Sequence, residues 1–222
     1  MGLLRPRDVI SRKRLHYYNE LLNVQPQNSK IRQKTIHTLL DPVNPYIEKI
    51  TANRLKKPQQ KKEIWYALQK LPNENCPGIC GLSKEFMISF LPKLIGIVYP
   101  LLNAVWISQC MDPALKQGII KLIPKNTFPK SLADWRPITM MGMLYKILAK
   151  IIAIRITPEF RKFILPTQIG FIAGRSIFDN ILIVQIDIGH ALATQQDMVM
   201  FRIDFVKDFD TIQWDFVCGI LN

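Results

Sequence analysis

The sequence contains few cysteines, and none of them forms a CxxC pair. The four are Cys76, Cys80, Cys110 and Cys218, and the three histidines lie far from them along the chain. Zinc sites usually draw their ligands from short motifs such as CxxC. A zinc site is therefore not expected, and free thiols in a reducing compartment are the simpler interpretation.

Acidic residues are scarce relative to basic ones. The 222 residues include 30 Lys plus Arg and 17 Asp plus Glu, for a formal net charge of +13. Most of the surplus lies in residues 1–70, which hold 15 basic and 5 acidic side chains. A charge of this sign favours a polyanionic partner, nucleic acid before anionic membrane. We therefore interpret residues 1–70 as a basic helical connector and residues 71–222 as a nearly neutral body.

Long uninterrupted apolar stretches are also lacking. The N-terminal residues 1–14 contain none, so no secretory signal is predicted. One uncharged run, residues 94–111, reaches about the shortest length that spans a bilayer. Pro100 interrupts it, and Lys93 and Asp112 bracket it. We expect a buried helix, kinked or split at Pro100, and no membrane partner.

The hydrophobic pattern predicts an α+β fold without internal repeats. Apolar residues at helical spacing predict helices over 62–71, from Ser83 onward, and over 139–156, 177–194 and 211–222. Short apolar runs predict strands over 117–124 and 198–204. Polar, Pro-rich and Gly-rich stretches predict a solvated linker over 55–62 and loops over 72–81, 125–137 and 165–176.

Three acids cluster after the second predicted strand, in FRIDFVKDFDTIQWDF (201–216). Asp204, Asp208 and Asp210 fall within seven residues. Carboxylate oxygens are the ligands that Mg²⁺ prefers, and the end of a strand holds such a ligand rigidly. Acids at the start of a surface helix would also be favoured by the helix dipole. The pattern alone leaves both interpretations open.

Five ordered segments resemble the reverse transcriptase domain of non-LTR (LINE-type) retrotransposons, most closely those of plant genomes. The segments are LPNENCPGICGLSKEF (71–86), GIIKLIPK (118–125), DWRPITMMGMLYKILAKIIAIRI (134–156), LPTQIGFIAGRSIFDNILIVQ (165–185) and FRIDFVKDFDTIQWDF. The resemblance implies a right-hand polymerase fold. Fingers would occupy residues 71–197, and the palm would begin at 198–222. Residues 1–70 would be the connector that precedes the polymerase.

The resemblance also implies a catalytic centre. Asp204 corresponds to the first catalytic aspartate, which binds Mg²⁺, and Phe205 to the residue whose carbonyl adds a metal ligand. Phe209 corresponds to the aromatic residue that excludes a ribose 2′-hydroxyl and so selects deoxynucleotides. A core aromatic is the alternative interpretation of Phe209.

Two groups of binding residues follow from the same resemblance. Lys125 and Arg136 correspond to the basic finger residues that hold the incoming triphosphate, although plain surface charges would look the same. The template-contacting loop would comprise Gln168, Gly170, Phe171, Gly174 and Arg175, and its glycines could serve only a turn. The implied partners are an RNA template, a DNA primer and deoxynucleoside triphosphates. The implied location is intracellular, in a nuclear or cytoplasmic ribonucleoprotein.

The sequence departs from the family in three places. Ile79 and Cys80 replace Pro and Asp of a Pro-Gly-Pro-Asp-Gly loop, and Asp208 replaces a small residue. No Asp-Asp dipeptide occurs, although the family's aromatic-x-Asp-Asp segment supplies the remaining catalytic acids. We therefore expect a polymerase fragment that is inactive alone. The alternatives are a non-catalytic fragment that binds RNA or single-stranded DNA, and a pseudogene product that is not expressed.

Overall fold

The structure is a computed structural model that describes residues 6–22, 34–35, 38, 49–172, 174–204, 212 and 214–221. The chain divides into two units. The first, here called the core unit, is Tyr46–Gly174, and the second unit combines Met1–Pro45 with Arg175–Asn222. Both helices and a small sheet are present, so the predicted α+β class is confirmed.

The elements follow one another in a simple order. The helices are α1 (Pro6–Leu22), α2 (Lys49–Lys56), α3 (Lys61–Gln69), α4 (Lys84–Ser108), α5 (Met143–Phe163), α6 (Ile177–Thr194) and α7 (Trp214–Leu221). The strands β1 (Gly118–Pro124) and β2 (Trp135–Met141) lie between α4 and α5. Short 3₁₀ turns at Pro113–Lys116 and Leu132–Asp134 precede the two strands.

The hydrophobic core of the core unit lies where α3, α4 and α5 pack together. Its fully buried apolar side chains recur at helical spacing and are Ile64, Leu68, Met87, Leu91, Leu102, Ile147 and Ile151. Each contributes about 1.5–3 kcal/mol by leaving water. The helix predicted over 62–71 is confirmed, and it supplies part of this core.

The two strands form an antiparallel ribbon, and only one of them was predicted. Strand β1 confirms the prediction over 117–124. Residues 135–141, expected to be the end of a loop and the start of a helix, form β2, so α5 begins at Met143 and not at Thr139. Pairing with β1 decides the outcome, because the register from Gly118↔Met141 to Pro124↔Trp135 satisfies the backbone of both segments.

Helix α4 begins as predicted at its cap, where the Ser83 hydroxyl accepts the Phe86 N–H at 3.2 Å. The helix continues through Pro92 and Pro100, so it is not split at Pro100, and the alternative of a kink there stays a prediction. One face is buried, as expected, but Phe90, Ile97 and other apolar residues of the opposite face are exposed. By length and composition α4 and α6 could each cross a membrane, criteria that the core helix of a soluble protein also meets.

Lys84 closes the C-terminal end of α3. Its buried ammonium donates to the Gln69 carbonyl at 3.0 Å, to the Leu71 carbonyl and to Asn73 Oδ1 at 2.6 Å. The last carbonyls of a helix have no partner within the helix, and a cation satisfies them well. The contact fixes where the loop after α3 leaves the core.

The second unit departs from one prediction. Helices α6 and α7 confirm the helices expected over 177–194 and 211–222, and Ser176 caps α6. The strand expected over 198–204 is wrong, since these residues have no regular structure. A strand requires a hydrogen-bonded neighbour. Within the described part of the chain, the only strand pairing is between β1 and β2.

The predicted linker over 55–62 is exposed at most of its residues, as expected for a solvated segment, but it is also held in place. Arg155 of α5 donates to the carbonyls of Leu55, Lys57 and Pro58, and it forms a two-pronged ion pair with Glu63. The guanidinium also lies over the Trp106 ring, 4.8 Å from its centroid. The segment between α2 and α3 is therefore tied to α5.

This ion pair should make stability depend on pH. The hydrogen bond from Arg155 is the main cause of a lowered pKa for Glu63, and burial opposes it. A lowered pKa means that the stabilisation is complete above the unfolded value of about 4.3 and is lost as the pH falls through the lower folded value. The free-energy difference between wild type and Glu63→Gln, measured by urea unfolding from pH 7 to pH 3, should therefore shrink in acid. The exposed Asp187→Asn variant serves as control. A difference that does not change with pH would contradict this account.

Candidate nucleotide and nucleic-acid interface

Lys125 and Arg136 are placed together by the β1–β2 ribbon. The Lys125 N–H donates to the Asp134 carbonyl at 2.7 Å, which extends the ladder one residue beyond β1, and Arg136 pairs with Ile123. Since side chains alternate between the faces of a strand, Lys125 and Arg136 share a face as diagonal neighbours, with Cβ atoms about 7 Å apart. Both residues are exposed. The structure thus brings these two predicted residues into one accessible pair.

Asp134 fixes the turn that joins the two strands. Its carboxylate accepts the N–H groups of Lys130 at 2.9 Å and Ser131 at 2.8 Å, as well as the Ser131 hydroxyl at 3.1 Å. These hydrogen bonds, with the Ser131 N–H first, lower the pKa of Asp134, and the charge of Lys125 adds to the effect. The ionised Asp134 holds β2 in register opposite β1. Our sequence reasoning missed this residue, although Ser-x-x-Asp is a recognisable capping pattern.

The loop CPGICG (76–81) packs against the junction of β2 and α5. A Cβ atom on Gly78 would lie 2.3 Å from the Met141 carbonyl oxygen, so only glycine fits there. Gly81 adopts a left-handed φ of 68°. Lys146 donates to the Cys76 carbonyl at 3.2 Å and so helps to anchor the loop. The two glycines shared with the family therefore have conformational roles, and Cys80, in place of the usual Asp, is exposed.

The predicted template-contacting loop is tightly turned. The Gln168 N–H donates to the Leu165 carbonyl at 3.0 Å, and the Gln168 side chain reaches the Gly170 carbonyl at 3.4 Å. Gly174 has a left-handed φ of 83°. These contacts fix the turn within the core unit, whereas Arg175 begins the second unit.

Phe171, in the same loop, combines two unusual properties. Its φ of 63° lies in the left-handed region, which a bulky side chain rarely adopts, and its ring is 95% exposed. Such backbone strain often marks a functional position. The conformation presents an aromatic ring to solvent, where a base could stack on it.

Asp204 lies in the second unit and is exposed. Phe205 and Phe209 lie outside the described residues, together with Asp208 and Asp210. Within the described ranges, no three His, Cys, Asp or Glu side chains come together as a metal site. One carboxylate is too few ligands for two-metal chemistry, so the described residues alone do not fit the Mg²⁺ that the resemblance implies.

The chain matches a family model over residues 123–221, and the family is described as reverse transcriptase (RNA-dependent DNA polymerase). It is also 26% identical over 178 residues to the Transposon TX1 uncharacterized 149 kDa protein of Xenopus laevis. That alignment covers 80% of this chain and 14% of the relative. Residues 123–221 therefore match the reverse transcriptase family, and most of the chain is similar to a transposon protein.

The reverse transcriptase match can be placed on the described elements. It begins at Ile123, near the end of β1, and continues through β2, α5 and α6 into α7. It includes the paired cations Lys125 and Arg136, and also Asp204. Helices α2 to α4 precede it, although α3 and α4 supply seven of the eleven buried apolar residues of the described core, which α5 completes. The region that matches the family is thus built on a core that starts well before the match.

Proposed function

We propose that this chain supplies the fingers, residues 71–197, and the beginning of the palm, residues 198–222, of a right-hand RNA-directed DNA polymerase. Its substrates would be deoxynucleoside triphosphates, an RNA template and a DNA primer. The observation that carries the proposal is the exposed pair Lys125 and Arg136 on one face of the ribbon. Residues 1–70 would be the basic connector in an intracellular ribonucleoprotein.

The two cations suit a triphosphate for a physical reason. Arg136 can donate two parallel hydrogen bonds to phosphate oxygens, and Lys125 adds a compact charge beside it. Cations held in place before the reaction stabilise negative charge that develops on the phosphates without reorganisation. The ionised Asp134 keeps the turn between them fixed. In this proposal Lys125 and Arg136 bind and orient the nucleotide.

We also propose roles for the other residues that the resemblance singles out. Asp204 would contribute one carboxylate to a divalent-metal site, with Phe205 beside it, and Phe209 would exclude ribonucleotides. Phe171 would stack on a template base, while Gln168, Gly170, Gly174 and Arg175 would lie along the strand. The described residues provide only one of the several metal ligands that two-metal chemistry requires.

A binding measurement tests the nucleotide pair. In the full chain, Lys125→Gln and Arg136→Gln should each weaken the binding of a deoxynucleoside triphosphate at least tenfold, because each removes a charge-assisted hydrogen bond worth about 1.5–3 kcal/mol. Isothermal titration calorimetry gives the dissociation constants. Lys93→Gln, which removes an exposed lysine from α4, should leave them unchanged. Unaltered affinity in both ribbon variants would refute the assignment.

The alternative, a non-catalytic binder of RNA or single-stranded DNA, is favoured by the basic surplus of residues 1–70. Binding of a deoxynucleoside triphosphate separates the two functions, because a polymerase fragment that is inactive alone can still bind its nucleotide. Triphosphate binding that is weakened in Lys125→Gln and Arg136→Gln supports the polymerase fragment. RNA binding without triphosphate binding supports the binder.

A further inference from the structure

The face of the ribbon that carries Lys125 and Arg136 continues beyond them. The strand register places Lys121 opposite Ile138, and alternation along β1 puts Lys121 on the same face as Ile123 and Lys125. Lys121 is exposed, like the other two cations. It precedes residue 123, where the family match begins, and it does not belong to the proposed triphosphate pair.

The three cations form an evenly spaced row. Lys121 and Lys125 are four residues apart on one strand, about 13 Å at 3.4 Å per residue, and Arg136 faces the midpoint from the other strand. Successive cations are therefore about 7 Å apart along the ribbon, from the same rise per residue. This repeat is comparable to the separation of successive phosphates in an extended single strand. A triphosphate is too compact to reach from Lys125 to Lys121.

Isoleucines alternate with the cations on this face. Ile119, Ile123 and Ile138 remain 42%, 41% and 46% exposed. The opposite face carries Leu122, Trp135 and Pro137, which are half-buried, together with Ile120, Pro124 and Thr139, which are exposed, and it has no cation. Exposed apolar side chains between cations are suited to a ligand that presents both phosphates and apolar ring edges, as an unpaired nucleic-acid strand does. These isoleucines would add little to the affinity for free phosphate, which has no apolar surface.

We propose that the exposed face of the ribbon binds a single-stranded polynucleotide, and that Lys121 contacts its backbone as a residue distinct from the triphosphate pair. The inference rests on the proposed polymerase function, in which Lys125 and Arg136 hold the nucleotide. Lys121 then lies farther along the same face, where the unpaired strand of the template continues. It positions the strand and takes no part in the chemistry.

The test measures two ligands on the same variants of the full chain. Binding of a fluorescent single-stranded RNA oligonucleotide is followed by anisotropy over a series of salt concentrations, and binding of a deoxynucleoside triphosphate by calorimetry. Lys121→Gln should weaken RNA binding roughly three- to tenfold, the effect of one lost hydrogen-bonded contact. It should also reduce the slope of log K against log salt by about 0.7, as expected for one fewer phosphate contact to a single strand. Its triphosphate affinity should match wild type.

Two further variants keep the result interpretable. Lys121→Arg retains the charge and should restore both RNA affinity and salt slope. Lys93→Gln removes an exposed lysine elsewhere and should behave as wild type. Thermal unfolding of each variant shows whether the ribbon is intact, and the anisotropy comparison is made between variants that melt together.

The outcomes separate this inference from the proposed function. A Lys121→Gln salt slope equal to that of Lys93→Gln overturns the inference, and so does an absence of RNA binding at low salt. Equal loss of RNA and triphosphate affinity also overturns it, because Lys121 would then belong to the nucleotide site. Failure of Lys125→Gln and Arg136→Gln to alter triphosphate binding counts instead against the proposed function.

Discussion

Replacing Arg155 with methionine should lower the free energy of unfolding by about 3–5 kcal/mol, the usual cost of removing one partner from a largely buried ion pair. Arg155 Nε and Nη2 each lie 2.8 Å from a carboxylate oxygen of Glu63. The two side chains are only 13% and 28% exposed. Methionine fills a similar volume but cannot donate a hydrogen bond, so Glu63 would be left partly buried without its counter-charge.

The same substitution removes the donor for three backbone carbonyls. Arg155 Nη1 donates to the oxygens of Leu55 at 3.0 Å and Lys57 at 2.5 Å, and Nη2 to that of Pro58 at 3.3 Å. The Leu55 carbonyl is partly buried, so the loss of its partner costs up to about 1–3 kcal/mol, whereas water can reach the exposed Lys57 and Pro58. The segment between α2 and α3 should therefore loosen first. Faster amide hydrogen exchange over residues 55–60 would show this locally.

Two control variants make the Arg155 experiment decisive. Arg155→Lys keeps the charge but loses the planar fork that reaches Glu63 and the carbonyls together, so its loss should be intermediate. Arg136→Met removes an exposed arginine and should change stability by less than about 0.5 kcal/mol. The free energies come from urea unfolding at pH 7. A loss below about 1 kcal/mol for Arg155→Met would show that the cluster contributes little.

The Arg155 cluster also illustrates which features a sequence conceals. Glu63 and Arg155 are separated by 92 residues, and the carbonyl acceptors carry no side-chain signature. By contrast, the start of α4 at Ser83 and the whole of α6 were predicted correctly, because caps and helical periodicity are local signals. Residues 55–62 were interpreted only as a solvated linker for the same reason. Their composition is polar, and their partner, Arg155, is distant in the sequence.

Strands were harder to predict than helices, since a strand is defined by its neighbour. Strand β2 was missed because Trp135–Met141 becomes a strand only by pairing with β1. The strand predicted over 198–204 failed because no described residue pairs with it. The candidate site likewise has features that the sequence predicts and features that only strand pairing reveals. Resemblance identified Lys125 and Arg136 individually, but only the register reveals that they share a face, and that Lys121 lies on it.

Replacing Gly78 with alanine should destabilise the core unit by about 1–3 kcal/mol, the usual cost of forcing extra atoms into a packed site. A Cβ atom there would lie 2.3 Å from the oxygen and 2.4 Å from the carbon of the Met141 carbonyl, and 2.7 Å from the Gly142 nitrogen. All three are backbone atoms. Met141 is fixed by its pairing with Gly118, and the Gly142 carbonyl accepts the Lys146 N–H at the start of α5. The neighbours therefore cannot move without disturbing the ribbon or the helix.

Gly96→Ala provides a matched substitution with the opposite expectation. Gly96 lies inside α4, and a Cβ atom there would meet nothing within 4 Å. Alanine should stabilise the helix by about 0.5–1 kcal/mol, since glycine is the poorer helix former. Both free energies can be measured by urea unfolding of the full chain. If the two variants differ by less than about 0.5 kcal/mol, the loop CPGICG does not pack against the β2–α5 junction as described. Destabilisation by Gly78→Ala together with stabilisation by Gly96→Ala would show that Gly78 is required because the backbone approaches so closely there.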